Sequence, residues 1–526
     1  MPAQDDFIWP EIPPPYTLAR LLQGNDDRLA LISEGRYVTR AELRQASAWA
    51  ADELQRGGWC RGDVLAVWLP NGVAWLQLLF AAAQLGVLIV PISTRYKAPE
   101  VRHLLQVSRA RGIVVPRHFL DTDFCGVVAC LRPELPALQQ VWVLEDVTDF
   151  LVGAADAVPY AAPAASHAAD LLCCFSTSGT TGQPKLAAHD QASITRHALH
   201  AAQALDLHAG DTMLCAIPLN GVFGFMTAMA ALAGGACVLL MAVFSAEAAA
   251  ALVRQHGVTH AVGADTMFDA MLSEPSTDFS TWRRAAMADF AGVSLPVARR
   301  GEAMGIVFSG TYGSSEVFSL NTTQRWDALA EERALAGGWP VDPAIEVRVV
   351  DIDTGLPLPA GASGELQIRG PNVLAAYLNN PEATTRARTP DGWFRTGDLA
   401  TGQGRRFTYL ARLDDSLRLG GYLVNPAEIE SALLLWPGIQ GAQVVGARQV
   451  GQGDVAVAFV TCQGAAPGPD MLRAHCHEQL ANYKVPVHFQ VLDAFPVIHG
   501  PNGSKIQKRL LREWARQLVD GSPSPG

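Results

Sequence analysis

The stretch that decides the fold is Thr177–Leu186, with the sequence TSGTTGQPKL. Its two glycines lack a Cβ, so the backbone can turn tightly and bring N–H groups against anionic oxygens. Its hydroxyls and Lys185 supply donors and positive charge. The spacing is not that of a P-loop, because no hydroxyl follows the lysine. The stretch predicts a loop that binds a polyphosphate, and a solvated linker is the alternative.

Composition limits the class of protein. The chain has 526 residues, which is too long for one ordinary core, so we expect two or more domains. Nine cysteines without a C-x-x-C pair indicate neither a disulfide framework nor a zinc site. The net charge of -11 argues against nucleic acid as a partner. An acidic, proline-rich N-terminus lacks the features of a secretory signal, so a cytoplasmic protein is expected.

Two charge-free stretches, Val64–Thr94 and Leu214–Phe244, are long enough to suggest membrane-spanning helices. Both contain proline, asparagine and glycine, so each is better interpreted as strand, buried helix and strand. In the first stretch we predict strands over Val64–Leu69 and Val87–Ile92, joined by a helix over Ala74–Leu85. No transmembrane segment is therefore expected. Peripheral association through an apolar substrate is left open.

The pattern changes along the chain. Apolar strands alternate with Ala/Leu-rich helices to about residue 330, which favours a doubly wound α/β core. Short strands then follow at Val347–Asp351, Gly364–Arg369 and Arg406–Leu410, as in an antiparallel subdomain. A compact α+β region begins after Asp415, and its first helix is predicted to start at Pro426. The apolar face of that helix is Ile429, Ala432, Leu433 and Trp436.

Four further motifs follow the first. They are YGSSE at Tyr312–Glu316, GWFRTGD at Gly392–Asp398, RLDD at Arg412–Asp415 with NPAEIE at Asn425–Glu430, and KIQK at Lys505–Lys508. In this order they are similar to the motifs of the adenylate-forming superfamily. That superfamily holds acyl-CoA synthetases, aryl-CoA ligases, luciferases and the adenylation domains of peptide synthetases.

The resemblance implies an α/β fold with a large N-terminal domain, residues 1–414, made of several subdomains including an antiparallel β subdomain. It also implies a small, mobile α+β C-terminal domain, residues 415–526. The hinge between them would lie at Asp415. The implied ligands are ATP, Mg²⁺ and CoA, together with a small-molecule carboxylic acid. A homodimer is left open.

Site residues follow from the same resemblance. Glu316 would be the Mg²⁺ ligand, Ser315 would donate to the α-phosphate, and Lys505 would neutralise the reacting oxygens during adenylation. Asp398 would accept both ribose hydroxyls, supported by Arg412. Gly420 and Gly421 would lie on the face that binds CoA. The other implied ATP-binding residues are Thr177, Ser178, Gly179, Thr180, Thr181, Gly182, Lys185, Tyr312 and Gly313.

Three departures from the family pattern stand out. Ser504 separates Gly503 from Lys505, although glycine usually precedes this lysine directly. Gly221 stands where relatives have a histidine or an aromatic gate, and Asp265 stands where many have proline. The candidate acyl-pocket residues, which helix packing would equally explain, are Asn220, Gly221, Phe223, Phe225, Ala264 and Met267.

The predicted activity is an AMP-forming carboxylate–CoA ligase. Residues 218–225 contain no aspartate to hold an α-ammonium group, so the acid is not expected to be an amino acid. The apolar residues there favour an aryl, alicyclic or medium-chain acid. Two alternatives are an acyl-AMP ligase that loads a carrier protein and a non-catalytic adenylate-binding protein.

Overall fold

A computed structural model describes residues 8–14, 16–145, 166–177, 184–275, 278–415, 417–419, 422–424, 426–449, 453–464, 467–480, 482–500 and 503–520. Two compact units divide the chain. Unit 1 comprises Met1–Val347, Ile368–Phe394 and Gly404–Arg406, and unit 2 comprises Arg348–Gln367, Arg395–Gln403 and Phe407–Gly526. The expected domain boundary at residues 414 and 415 stays a prediction.

Some of the helices begin after a residue whose side chain caps the first turn. Thr39 closes a capping box with Glu42 ahead of the first α-helix, and Asp190 accepts from the N–H of Ser193 ahead of the fifth. The α-helices are Arg40–Arg56 (α1), Val73–Leu85 (α2), Ala98–Ser108 (α3), Phe124–Leu131 (α4), Gln191–Ala204 (α5), Val222–Ala233 (α6), Ala246–His256 (α7), Asp265–Leu272 (α8), Ser294–Ala303 (α9), Ala330–Arg333 (α10), Pro381–Arg386 (α11), Pro426–Leu434 (α12), Pro469–Gln479 (α13) and Lys508–Val519 (α14).

Strands are short and mostly apolar. Those of the first half are Leu29–Ser33 (β1), Arg36–Thr39 (β2), Val64–Val67 (β3), Leu88–Pro91 (β4), Gly112–Pro116 (β5), Gln140–Leu144 (β6), Leu171–Thr177 (β7), Lys185–Asp190 (β8), Thr212–Cys215 (β9), Cys237–Leu240 (β10) and His260–Ala264 (β11). Those that follow are Arg284–Ala288 (β12), Val307–Ser314 (β13), Phe318–Thr323 (β14), Gly337–Pro340 (β15), Glu346–Val350 (β16), Ser363–Arg369 (β17), Ala376–Tyr377 (β18), Phe394–Gln403 (β19), Arg406–Arg412 (β20), Leu417–Leu419 (β21), Tyr422–Val424 (β22), Ile439–Gln449 (β23), Gly453–Cys462 (β24), His488–Val491 (β25), Val497–Gly500 (β26) and Gly503–Ile506 (β27).

Unit 1 is built on two sheets. In the first the strand order is β18-β8-β7-β4-β3-β5-β6, parallel from β7 to β6 and antiparallel at β8 and β18. In the second the order is β15-β14-β13-β12-β11-β9-β10-β1-β2, with a parallel centre from β13 to β1. The predicted α/β class is confirmed.

Helices α2, α5 and α6 lie between the two sheets. Their apolar residues share one core with alternate residues of both sheets, such as Val67 and Ile89 from one and Met213 and Val238 from the other. The intervening strand residues point outward, and they form separate cores with α3 and α4 or with α7, α8 and α9. Strand periodicity of two therefore produces five alternating layers of helix and sheet.

The charge-free stretches belong to this central layer. Helix α2 connects the parallel strands β3 and β4, and α6 connects the parallel strands β9 and β10, as predicted. Both helices are buried along nearly their whole length, which explains the lack of charge. No helix in the described part of the chain has the length and hydropathy needed to cross a membrane.

Unit 2 contains strands in the order β16-β17-β19-β20 and a smaller sheet, β23-β24-β25. Helix α12 begins at Pro426 as predicted and buries Ile429, Ala432 and Leu433. It ends at Leu434, before the predicted face reaches Trp436, which packs beside the same core. Helix α14 covers the other face of the small sheet.

Candidate functional site

Strands β7 and β8 bracket the predicted phosphate loop. Thr177, the last residue of β7, pairs with Lys185, the first residue of β8. Thr177 is buried, and its Oγ1 has no hydrogen-bond partner among the described residues. The loop residues themselves lie outside the described ranges, namely Ser178, Gly179, Thr180, Thr181 and Gly182. Their role in ATP binding stays a prediction.

The YGSSE motif forms the turn between β13 and β14. A Cβ on Gly313 would lie 2.3 Å from the carbonyl oxygen of Phe318, so only glycine fits this position. The Ser315 hydroxyl donates to the carbonyl oxygen of Ser176, 3.3 Å away, at the end of β7. This contact brings the motif against the phosphate-loop hairpin, as an ATP site would require.

Two buried histidines support this turn, and the sequence did not reveal them. The Nε2 atoms of His189 and His197 lie 2.8 Å from the carbonyl oxygens of Ser315 and Ser319, respectively. The ring of Phe318 lies between the two imidazoles, with centroids 4.0 Å and 4.9 Å away. Each imidazole therefore fixes one carbonyl of the turn and packs on its central aromatic ring.

The turn needs this support because its backbone is strained. Phe318 and Leu320 have φ values of 62° and 56°, in the left-handed region that bulky residues avoid. Each non-glycine residue held in this backbone conformation lowers the stability of the fold by about 1–3 kcal/mol. Both side chains are buried, so core packing and the imidazole contacts offset the strain.

Burial keeps these imidazoles neutral. Loss of water lowers the pKa of both His189 and His197 from 6.5 to about 4, and the hydrogen bonds to backbone carbonyls only partly oppose this effect. A neutral imidazole that donates from Nε2 can hold a backbone carbonyl without placing a charge in the core. The sequence gives little signal for these histidines, because His189 simply lies between Ala188 and Asp190 near the end of β8, and His197 lies in α5.

Tyr377 is a third residue that sequence reasoning missed. Its hydroxyl donates to Glu316 Oε1 at 3.0 Å, and its ring centroid lies 4.4 Å from Lys185 Nζ. The described part of unit 1 thus brings together Lys185, Ser315 and Glu316, three of the predicted ATP-site residues. Tyr312 lies in the same strand as Gly313 and is buried.

Glu316 is the predicted Mg²⁺ ligand. Within the described ranges, no group of three or more His, Cys, Asp or Glu side chains forms a metal site. Mg²⁺ is usually bound by one or two carboxylates together with substrate phosphates and water. The single carboxylate of Glu316, beside Lys185 and the phosphate-loop hairpin, fits that mode of binding.

The predicted acyl-pocket residues lie in the central layer and at the ends of neighbouring strands. Gly221 caps α6 with a φ of -108°, which any residue can adopt, so the backbone does not require glycine there. Phe225 is fully buried and packs edge-on against Trp75 and Phe175. The others are Asn220, Phe223 and Ala264, which are buried, and Met267, which is partly buried. Their contact with an acid stays a prediction.

Asp265 has a structural explanation. It is fully buried, and its carboxylate accepts from the backbone N–H groups of Phe290, Ala291 and Val293. It thereby fixes the loop between β12 and α9 at the carboxyl end of the sheet. In that loop, desolvation and the neighbouring Asp265 carboxyl raise the pKa of Asp289 to about 7.

The remaining predicted residues lie in unit 2. Arg412 Nη1 is 2.9 Å from Asp398 Oδ1, and the Asp398 side chain is buried. Asp415, at the end of a short 3-10 helix, forms an ion pair with Arg512 of α14. Lys505 lies in β27, opposite Ile498 of β26, and its side chain is outside the described part. Gly420 and Gly421 are also outside it.

Comparison with known proteins identifies the family. Residues 18–378 match the AMP-binding enzymes, and residues 428–499 match the C-terminal domain of AMP-binding enzymes. The chain belongs to the AMP-binding enzyme family. The predicted resemblance to adenylate-forming enzymes is therefore confirmed.

Individual relatives and a solved structure support this assignment to the family. The chain is 32% identical over 523 residues to a methyl-dioxo-octahydro-indenyl propanoyl:CoA ligase of Mycobacterium tuberculosis, covering 95% of this chain and 98% of that protein. It is 31% identical over 504 residues to a fatty acid–acyl-carrier-protein ligase of Streptomyces coeruleorubidus, covering 92% and 93%. The ATP-bound RpMatB–BxBclM chimera B3 superposes with a TM-score of 0.85 at 26% identity, covering 96% of this chain and 99% of that one.

These findings define the type of enzyme. The chain is an AMP-forming acid–thiol ligase, as predicted, and adenylate-forming acyl-CoA ligases use ATP and CoA. The acid itself is not defined by them.

The neutral histidines predict a pH dependence of stability. The pKa of His189 is about 4 when folded and near 6.5 when unfolded, so the unfolded chain binds more protons at mildly acidic pH. We expect the free energy of unfolding to fall as pH drops below about 6.5, by up to about 1.4 kcal/mol per pH unit for each such imidazole. His189→Gln keeps a donor without titrating, so it should reduce this slope.

Urea unfolding followed by tryptophan fluorescence, between about pH 5 and 7.5, measures the slope of the free energy of unfolding against pH. His208→Gln, at a side chain that is 70% exposed, is the matched control and should leave it unchanged. A slope in His189→Gln equal to that of the wild type would contradict a neutral, buried His189.

Proposed function

We propose that this enzyme joins an apolar aryl, alicyclic or medium-chain carboxylic acid to CoA through an acyl-adenylate. The observation that supports it is the cluster of Lys185, Ser315 and Glu316 in unit 1, where Lys185 and Glu316 both contact Tyr377 and the Ser315 hydroxyl bonds to the end of β7. A relative that acts on a fused-ring propanoic acid supports an alicyclic substrate. The glycine at position 221 supports a wide pocket.

In the first half-reaction, the acid carboxylate attacks the α-phosphorus of ATP and pyrophosphate leaves. Negative charge builds up on the phosphoryl oxygens, so electrostatic stabilisation is the main task of the site. Lys185 and the loop N–H groups bind the departing phosphates, and the Ser315 hydroxyl exchanges its bond to the Ser176 carbonyl for one to the α-phosphate. Glu316 would hold Mg²⁺, which supplies positive charge to the phosphate oxygens when bound.

Three further residues have proposed roles in the reaction. Asp398 accepts the ribose hydroxyls, and Arg412 orients its carboxylate through their ion pair. Lys505 approaches the carboxylate and bridging oxygens. In the second half-reaction the C-terminal domain, residues 415–526, rotates about Asp415, and the CoA thiol displaces AMP from a carbonyl that is already activated.

The second candidate is an acyl-AMP ligase that delivers its product to a carrier protein. The similarity to a fatty acid–acyl-carrier-protein ligase favours it, because that relative matches nearly the whole chain. The two candidates share the first half-reaction and differ only in the thiol acceptor.

A panel of aryl, alicyclic and C4 to C12 acids tests the function. Each acid is incubated with ATP and Mg²⁺, with either CoA or a phosphopantetheinylated carrier protein, and thioester and AMP are quantified by mass spectrometry. We expect acyl-CoA and equimolar AMP with at least one bulky acid. Transfer to the carrier protein with none to CoA would favour the alternative, and formation of ADP instead of AMP would overturn both.

Lys505→Ala should block adenylation selectively. The lysine acts only while the acyl-adenylate forms, so its loss should slow that step by about a hundredfold or more, equivalent to roughly 3 kcal/mol. Thioester formation from supplied acyl-AMP should be nearly unchanged. Arg509→Ala, at a nearby basic side chain that is 91% exposed, is the control. Equal losses in both half-reactions would show that Lys505 has a structural role.

Asp415→Pro should have the opposite effect. Proline fixes φ near -65° and removes the freedom that a hinge needs, so thioester formation should fall steeply while adenylation persists. Arg512→Ala removes the Asp415–Arg512 ion pair without restricting the backbone. It therefore separates the effect of losing the ion pair from the effect of losing backbone freedom. If Asp415→Pro forms thioester at the wild-type rate, the hinge lies elsewhere.

Gly221→His should narrow the range of acids. Space left by glycine must be filled by substrate to gain burial, at about 25 cal/mol per Å² of apolar area. The imidazole should therefore penalise the largest good acid by about 1–3 kcal/mol in kcat/KM relative to a small acid, and Gly221→Ala should have a smaller effect. An unchanged ratio of kcat/KM would place Gly221 away from the acyl site.

A further inference from the structure

Tyr377 occupies a fixed position between two ATP-site elements. It is the second residue of the short strand β18, where it pairs with Ala187 of β8. Its backbone N–H also donates to Thr384 Oγ1, 2.9 Å away, at α11. The side chain is 95% buried, since only 5% of its surface is exposed. Its orientation is therefore set by the sheet and by the following helix.

The side chain contacts two predicted ATP-site residues, Lys185 and Glu316, at once. Its ring lies 4.4 Å from Lys185 Nζ, a distance that allows a cation–π interaction. Its hydroxyl, at the other end, donates to Glu316 Oε1 at 3.0 Å. Lys185 comes from the phosphate-loop hairpin and Glu316 from the β13–β14 turn, so one side chain joins two separate motifs.

The backbone of the same segment also holds Glu316. The N–H of Leu374 donates to the carbonyl oxygen of Glu316 at 2.7 Å, and Asn372 Nδ2 donates to the carbonyl oxygen of Val317 at 3.0 Å. Glu316 is thus held at both ends, at its backbone carbonyl by Leu374 and at its carboxylate by the Tyr377 hydroxyl. This leaves few orientations for the group that is expected to face the metal.

We propose that Tyr377 is a positioning residue that orients the Glu316 carboxylate for Mg²⁺ through its hydroxyl and holds the Lys185 ammonium toward the phosphates through its ring. The inference rests on the proposed function, because it assumes that Glu316 and Lys185 bind Mg²⁺ and ATP.

Two substitutions separate the two contacts. Tyr377→Phe removes the hydroxyl and keeps the ring, whereas Tyr377→Leu removes both. ATP binding is measured by isothermal titration calorimetry in the presence and absence of Mg²⁺, and the Mg²⁺ concentration for half-maximal adenylation is measured in parallel. Tyr37→Phe, at a side chain that is 55% exposed, is the matched control.

Tyr377→Phe should weaken ATP binding about tenfold with Mg²⁺ and leave it unchanged without Mg²⁺, since orienting partners of metal ligands typically contribute 10–100-fold in metal affinity. The half-maximal Mg²⁺ concentration should rise by a similar factor. Tyr377→Leu should weaken binding in both conditions, because the Lys185 contact is also lost. In a Glu316→Gln background, Tyr377→Phe should have no further effect.

Three outcomes would overturn the proposal. One is Tyr377→Phe binding ATP with Mg²⁺ as tightly as the wild type. Another is an equal loss with and without Mg²⁺, which would mean a general structural role. The last is an additive loss in the Glu316→Gln background. Failure of the wild type to bind ATP under any condition would instead overturn the proposed function.

Discussion

The hydrogen bond from His189 to the carbonyl of Ser315 is the contact on which the site depends. It joins the strand that follows the phosphate loop to the turn that carries Ser315 and Glu316. The turn adopts left-handed backbone conformations at Phe318 and Leu320, and these persist only where surrounding contacts enforce them. A buried, neutral imidazole can enforce them because it donates to one carbonyl while its ring packs on Phe318.

The layered core makes such burial possible. Helices α2, α5 and α6 lie between two sheets, so His189 at the end of β8 and His197 in α5 are removed from water. The same burial that lowers the imidazole pKa keeps the donor hydrogen in place. The rigid scaffold therefore begins in the central layer and extends through the turn to Glu316. On its other side, the segment containing Leu374 and Tyr377 holds the same turn.

Local patterns were sufficient to predict much of this fold. The strand, helix and strand predicted between Val64 and Ile92 match the structure to within two residues, because apolar runs and glycine stops mark them directly. The start of α12 at Pro426 was predicted for the same reason. The ATP-site motifs were recognisable because their glycine, hydroxyl and charged residues lie close together in the sequence.

Contacts between distant residues could not be predicted in this way. His189 lies 126 positions from Ser315, and Tyr377 lies 61 positions from Glu316. A histidine near the end of a short strand, or a tyrosine after two alanines, gives no indication of its partner. The role of Asp265 was equally hidden, because its hydrogen bonds reach a loop about 25 positions away.

Isotope exchange between pyrophosphate and ATP, in the absence of CoA, tests most directly whether the turn carrying Glu316 performs adenylation. The wild type should exchange label only when an apolar carboxylic acid is present, and Glu316→Gln should lower that exchange by about a hundredfold. Exchange by Glu316→Gln at the wild-type rate, with the same acid and the same Mg²⁺ concentration, would contradict the assignment of the adenylation site to this turn.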